Sequence, residues 1–177
     1  PWMSRLPGGL IHVNVVGCAL FAAISGSSAA TVATVGKMSI PELRKRNYPE
    51  KLLLGSLAGS GTLGLLIPPS IILIIYGVTV QESIAKLFIA GIIPGIMIAI
   101  FFMFYVIGWS VLNKDSMPKT EETFSFSQKI KDSGQLIPVI VLIAAVIGSI
   151  YVGIATATEA ASLGVVGALI LSFFQKS

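Results

Sequence analysis

The sequence predicts an all-helical membrane protein, on three observations. Of its 177 residues, 54% are hydrophobic and 11% charged, against about 25% charged in an average soluble domain, and the mean hydropathy is +0.89. The charges leave long uncharged stretches: Leu6–Gly36, Leu52–Gln81, Leu87–Asn113, Ser133–Thr158 and Ala160–Gln175. The first four exceed the roughly 20 apolar residues that a spanning helix needs. Finally, the two longest stretches carry their Gly, Pro and hydroxyl residues in the middle rather than at the ends. Unwound backbone at that depth survives only where protein buries it or where it lines a cavity.

Other classes fall away on composition. Twelve Lys and Arg against eight Asp and Glu give a net charge of +4, but the basic residues sit in short connectors and form no stripe for phosphates, so nucleic acid is not an expected partner. The single Cys18 permits neither an intrachain disulfide nor a thiolate metal cluster. The opening Pro1-Trp2-Met3, with apolar runs repeating behind it, reads as the middle of a longer protein rather than a signal peptide.

The first stretch turns or kinks at Ser25-Gly26-Ser27-Ser28, and either a re-entrant hairpin or a single crossing satisfies its length. The second breaks between Gly59-Ser60-Gly61-Thr62 and Pro68-Pro69-Ser70: the prolines remove two backbone donors and disfavour helix before them, and the glycines permit unusual backbone. Leu87–Asn113 and Ser133–Thr158 are simple spans. Ala160–Gln175 reaches across as a tilted helix with Thr156–Glu159 as its polar entry. The basic loops Lys37–Lys51 and Lys114–Asp132 are expected on the cytoplasmic side and Gln81–Lys86 on the other. Within the second basic loop, Thr123–Lys131 is either a solvated connector or a short amphipathic helix on the membrane surface. The domains expected are 1–113 (hairpin, broken helix and following span), 114–132 (cytoplasmic connector) and 133–177 (a span and the start of a second repeat).

Two constellations carry candidate chemistry. Ser25, Ser27, Ser28, Thr31 and Thr34 at a hairpin tip offer hydroxyls and freed carbonyls, hard oxygen ligands suited to sodium, while helix-starting amides suit a carboxylate. Bland glue between helices explains the same residues. The Gly61, Thr62, Gly64, Pro68, Pro69, Ser70 segment is the discontinuous helix. Neither contains a carboxylate, which disfavours calcium, and the expected sodium ligands are oxygens of Ser25, Ser27, Ser28, Gly61, Thr62 and Gly64. Among single residues, His12 reads as structural and the aromatics Trp2, Trp109, Tyr105 and Tyr151 as an interfacial belt. Glu159, the one acid in an apolar context, reads equally as a functional group or as a first-turn complement to the helix dipole.

The motifs also resemble a family. His12-Val13-Asn14-Val15 leading to Phe21-Ala22-Ala23-Ile24-Ser25-Gly26-Ser27, Ile67-Pro68-Pro69-Ser70 with Ile75-Tyr76-Gly77-Val78, Leu87-Phe88-Ile89-Ala90-Gly91-Ile92-Ile93-Pro94-Gly95, and Gly153-Ile154-Ala155-Thr156-Ala157-Thr158-Glu159-Ala160-Ala161 are similar, in order, to the large membrane subunit of tripartite ATP-independent periplasmic (TRAP) transporters, DctM type. The chain departs from common family patterns in having Ala157 where proline is frequent, and Thr31 and Thr34 where an aspartate often follows. The resemblance implies an elevator-type, ion transporter superfamily-like permease with two inverted repeats, of which about one is present here. It implies sodium-coupled import of an organic acid, of the C4-dicarboxylate or sialic-acid class, in the bacterial inner membrane. The implied partners are a periplasmic solute-binding protein and a small DctQ-type membrane subunit. Ser28, Thr31, Pro68, Pro69 and Ser70 are then the expected substrate side, with no cofactor beyond the coupling ion. The competing readings are an intramembrane serine hydrolase using Ser25 or Ser27 with His12, and a structural or channel subunit without coupled transport.

Overall fold

The structure is a computed structural model and describes Met3, residues 6–118, Gly134 and residues 137–175. Expectations placed on Trp2, on Thr123–Lys131 and on the ends of the chain lie outside those residues. Among the described residues there are α-helices and 3-10 turns and no strand: α1 (His12–Ser25), α2 (Ser28–Lys45), α3 (Glu50–Gly61), α4 (Ile71–Val80), α5 (Ile84–Leu112), α6 (Ile137–Tyr151) and α7 (Ala157–Gln175). They form two compact units, Pro1–Thr123 and Phe124–Ser177.

α1 stops where glycine permits it. Gly26 adopts the left-handed region (φ 58°) and its N–H donates to Ala22 O at 2.9 Å, a glycine-terminated helix end. Ser27 is extended, and its Oγ accepts from Ala30 N at 3.4 Å to start α2. The two residues reverse the chain, so the first uncharged stretch folds as a helical hairpin. α2 then continues through the basic residues as far as Lys45, with Pro41 inside it. The expected loop Lys37–Lys51 is thus corrected to the end of α2, a turn over residues 46–49 and the start of α3. Positive charge marks the edge of an apolar slab, not the end of a helix. The turn comes where Asn47 takes φ 57° and Pro49 precedes Glu50. Arg44 pairs with Glu50 across it. Arg46 Nε donates to Glu42 at 2.7 Å and so holds the Glu42 carboxyl below the usual carboxylate range.

α5 is the one helix among the described residues long and apolar enough to cross a membrane. Its 29 residues extend about 43 Å at 1.5 Å each, and it serves as a ruler for its unit. Gly77, near the end of α4, packs at its start, where an added Cβ would lie 3.0 Å from Leu87 and 3.2 Å from Ile84. Gly91 and Gly95 pack against the non-helical segment, a Cβ on Gly91 lying 2.6 Å from Leu66 O and one on Gly95 2.9 Å from Ile67 Cγ1. Gly59 of α3 meets Phe102. At the far end, Val106 joins Ile11, Leu43, Tyr48, Leu52 and Leu53 in a buried cluster, and Leu10 N donates to Tyr48 Oη at 3.0 Å. The segment α3–break–α4 therefore runs the length of α5 in the opposite direction. The hairpin enters and leaves at the Val106 end, and its tip stops level with Gly91–Gly95. Large apolar side chains on the outer faces of α4 and α5, such as Ile75, Tyr76, Ile93, Phe101 and Phe104, are more than half exposed.

The second unit is an antiparallel pair, with Gly164 set against Val146 and Gly167 against Leu142. Glu159 is explained there. Its Oε2 accepts from Thr156 N and from Thr156 Oγ1, each at 2.8 Å, while Thr156 Oγ1 accepts from Glu159 N at 3.3 Å. This is a reciprocal capping box at the start of α7, so of the two readings of Glu159 the first-turn one describes its contacts.

Candidate functional site: a hairpin tip seated in a helix break

The break begins when α3 tightens into a 3-10 turn over Thr62–Leu65 and then leaves helix for residues 66–70. It ends at the extended Ser70, whose Oγ donates to Leu65 O at 2.8 Å. The hairpin tip is fitted into this opening through backbone. Ile71 N donates to Gly26 O at 3.3 Å. A Cβ on Gly26 would sit 2.5 Å from Pro69 O, and one on Gly64 would sit 2.9 Å from Ser28 N and 3.0 Å from Ser27 C. Gly61 lies against Val32 of α2, with Ser28 O next to it at 3.9 Å from the same kind of added atom. The glycines of both motifs are spacing devices: each removes the side chain that would hold tip and break apart.

The hydroxyls of the tip form their own small network. Thr31 Oγ1 donates to Ser27 O at 2.7 Å, Ser25 Oγ lies 3.0 Å from Thr31 Oγ1, and Ser25 Oγ also donates to Ser27 O at 3.3 Å. Ser28 Oγ is buried with no hydrogen-bond partner. Such a group costs about 1–3 kcal/mol unless something meets it, so the tip presents an unmatched oxygen at the place where the break approaches. The structure thus brings together Ser25, Ser27, Ser28 and Thr31 with Gly61, Gly64 and Pro69. Thr62 is exposed and its hydroxyl donates to Gly59 O of its own helix at 2.7 Å. Ser70 and Thr31 are fully buried, and Pro68 is buried behind the half-buried Pro69.

A second polar feature, which no sequence motif announces, lies between α1 and α3. Asn14, fully buried, donates through Nδ2 to Leu53 O at 3.3 Å and to Ser56 Oγ at 3.1 Å, and Ser60 Oγ donates to Asn14 O at 3.4 Å. The signal present was Ser56 and Ser60 four apart, on one face of the apolar part of α3 that follows Lys51. His12 is equally buried, but its Nε2 meets Pro7 O at 2.8 Å. It stands at the opposite end of α1 from Ser25, about 20 Å away at helical rise, so the two do not form a nucleophile and base. Among the described residues no group of acids, His and Cys is placed to hold a metal ion.

Residues 3–177 match the family model for the tripartite ATP-independent periplasmic transporter, DctM component. The chain is 38% identical over 181 residues to the C4-dicarboxylate TRAP transporter large permease protein DctM of Rhodobacter capsulatus, covering 94% of this chain and 40% of that one. It is 38% identical over 178 residues to the isethionate TRAP transporter permease protein DctMQ of Oleidesulfovibrio alaskensis, covering 97% and 27%. It is 35% identical over 172 residues to the sialic acid TRAP transporter permease protein SiaT of Haemophilus influenzae, covering 97% and 27%. The chain spans two fifths or less of the length of these relatives. A family match across nearly all of its residues, together with relatives that are named permeases, shows that the chain belongs to the DctM family of TRAP transporter large permease proteins.

Proposed function

We propose that the chain forms part of the permease subunit of a sodium-coupled secondary transporter. It imports an organic acid across the bacterial inner membrane and performs no covalent chemistry. The observation that carries this reading is the seating of a hydroxyl-rich hairpin tip in a helix break, at the level of Gly91–Gly95 on a helix of membrane-crossing length. Backbone carbonyls and hydroxyls gathered there, without a carboxylate, suit a monovalent hard cation. The sodium ion is held by oxygens of Ser25, Ser27, Ser28, Gly61, Thr62 and Gly64. The acid is bound on the same side by Ser28, Thr31, Pro68, Pro69 and Ser70, with the Ser28 hydroxyl as the donor to its carboxylate. The hairpin is re-entrant from the cytoplasmic side, and the unit moves as the mobile body of an elevator-type inverted-repeat carrier. A small DctQ-type membrane subunit and a periplasmic solute-binding protein complete it. Relatives named for C4-dicarboxylate, isethionate and sialic acid support an acid as solute.

The test is initial uptake against sodium concentration in the complete transporter. Ser27→Ala and Thr62→Ala are each expected to raise the sodium needed for half-maximal rate, by about three- to tenfold for the loss of one oxygen ligand. An unchanged sodium requirement in both removes the ion from this site and leaves a structural or channel role.

Orientation is tested separately. With Cys18 replaced by alanine, a cysteine at the exposed Ser83, before α5, should react with an impermeant thiol reagent applied to spheroplasts. One at the exposed Ser116, after α5, should not. The opposite pattern inverts the topology.

A further inference from the structure

We infer that Asn14 is a positioning residue for the tip–break site, fixing the register of α1 against α3 and thereby the affinity for the coupling ion; the ion itself rests on the function proposed above. The hairpin and the broken helix are joined at the open end by an apolar cluster, Ile11, Leu43, Leu52, Leu53 and Val106, and further in by Cys18, Val35 and Leu57. Apolar contact is non-directional, and in a bilayer it gains little over contact with lipid. It therefore holds the two elements together without specifying how far along each other they lie. Yet the site demands a defined register, because Gly64 fits beneath Ser27 and Ser28, and Gly26 beneath Pro69, only where glycine stands opposite backbone.

Directional bonds supply that register, and they converge on Asn14. Its side-chain amide nitrogen donates to Leu53 O at 3.3 Å and Ser56 Oγ at 3.1 Å, while its backbone carbonyl lies 3.4 Å from Ser60 Oγ, whose proton goes chiefly to Ser56 O at 2.5 Å. Ser60 lies in the last turn of α3, two residues before the 3-10 turn that opens the break at Thr62, so the bonds around Asn14 reach the edge of the break. Asn14 stands eleven positions before Ser25, about 16 Å along the helix, too far to touch an ion at the tip. Its influence passes through the placement of α1 on α3. Slippage by a single residue rise, about 1.5 Å, would set the tip backbone against Leu63 or Leu65 in place of Gly64.

The experiment uses the complete transporter and compares the unaltered protein with Asn14→Ala, Ser56→Ala and the pair. Each single change is expected to raise the sodium concentration for half-maximal uptake about fivefold, within the range of side-chain hydrogen bonds measured between membrane helices. The maximal rate at saturating sodium should stay within about twofold. The pair should be no worse than Asn14→Ala alone, because both changes remove the same bond, and Asn14→Gln, which keeps the amide, should recover part of the affinity. An unchanged half-saturation with a lowered maximal rate, or fully additive losses, overturns the inference. A second reading does not depend on sodium. A cysteine at Val32, which packs on Gly61, should be modified faster by a membrane-permeant thiol reagent when Asn14 is alanine, in protein of unchanged yield and monodispersity. If the rate is unchanged, Asn14 does not set the register; if it rises while uptake ignores sodium in the unaltered protein as well, the positioning role stands and the ion assignment falls.

Discussion

Replacing Gly64 by valine in the complete permease is expected to cut sodium-driven uptake by roughly ten- to a hundredfold, the factor corresponding to an overpacking strain of about 1–3 kcal/mol placed on the bound state. The atoms facing Gly64 leave no easier outcome. The first carbon added there would stand 2.9 Å from Ser28 N, 3.0 Å from Ser27 C and 3.1 Å from Ser28 Cα. All three are backbone, so no rotamer change relieves the contact and the tip has to retreat from the break. Gly26→Ala should act the same way from the other side, since its Cβ would meet Pro69 O at 2.5 Å and its φ of 58° disfavours any other residue. Gly55 on α3 is the control: nothing lies within 4 Å of its added Cβ, so Gly55→Ala should leave uptake and its sodium dependence unchanged. Equal losses at Gly55 and Gly64 would show that glycine in this region serves helix packing in general and not the seating of the tip.

Residues 1–177 expressed by themselves are expected to insert into a membrane and to give no gradient-driven accumulation above that of empty vesicles. The described residues supply one hairpin and one broken helix, and the chain covers 40% of the Rhodobacter relative's length. A site between inverted repeats needs the matching half to close its other side. The exposed face of the break, where Thr62 and Leu65 stand uncovered, is where that half is expected to pack. The check is reconstitution of the purified chain into sealed vesicles with an inward sodium gradient, with and without the remaining half and the partner subunits. Accumulation by the chain alone would contradict the single-repeat reading.

What the sequence revealed and what it concealed divide along physical lines. The interruption at the tip was legible because Gly26 between serines breaks an apolar helix, though not that the chain reverses there, and the break because Pro68-Pro69 cannot continue one. Both signals are local. The meeting of tip and break was expected from the family resemblance and the chemistry of the two motifs, because glycine against backbone, as at Gly64 and Ser28, leaves no trace in hydropathy or charge. The same holds for Asn14 and Ser56, which lie 42 positions apart. His12 and Asn14, two apart and hence on different faces, are nevertheless both fully buried, since the Pro7–Gly8 segment covers one face and α3 the other. The extension of α2 through Lys37–Lys45 was hidden by its charges. The Thr156–Glu159 cap, by contrast, is visible as a spacing of three before an apolar run.

The most direct test of the tip–break site is the thermal unfolding of the purified full-length permease in rising sodium, with potassium held as the ionic control. An ion bound only by the folded protein stabilises it by about 2.7 kcal/mol at a hundred times its dissociation constant. The midpoint should climb with sodium and not with potassium in the unaltered protein, and stay flat with sodium in Gly64→Val. A sodium-dependent rise of the same size in both proteins would place the ion elsewhere.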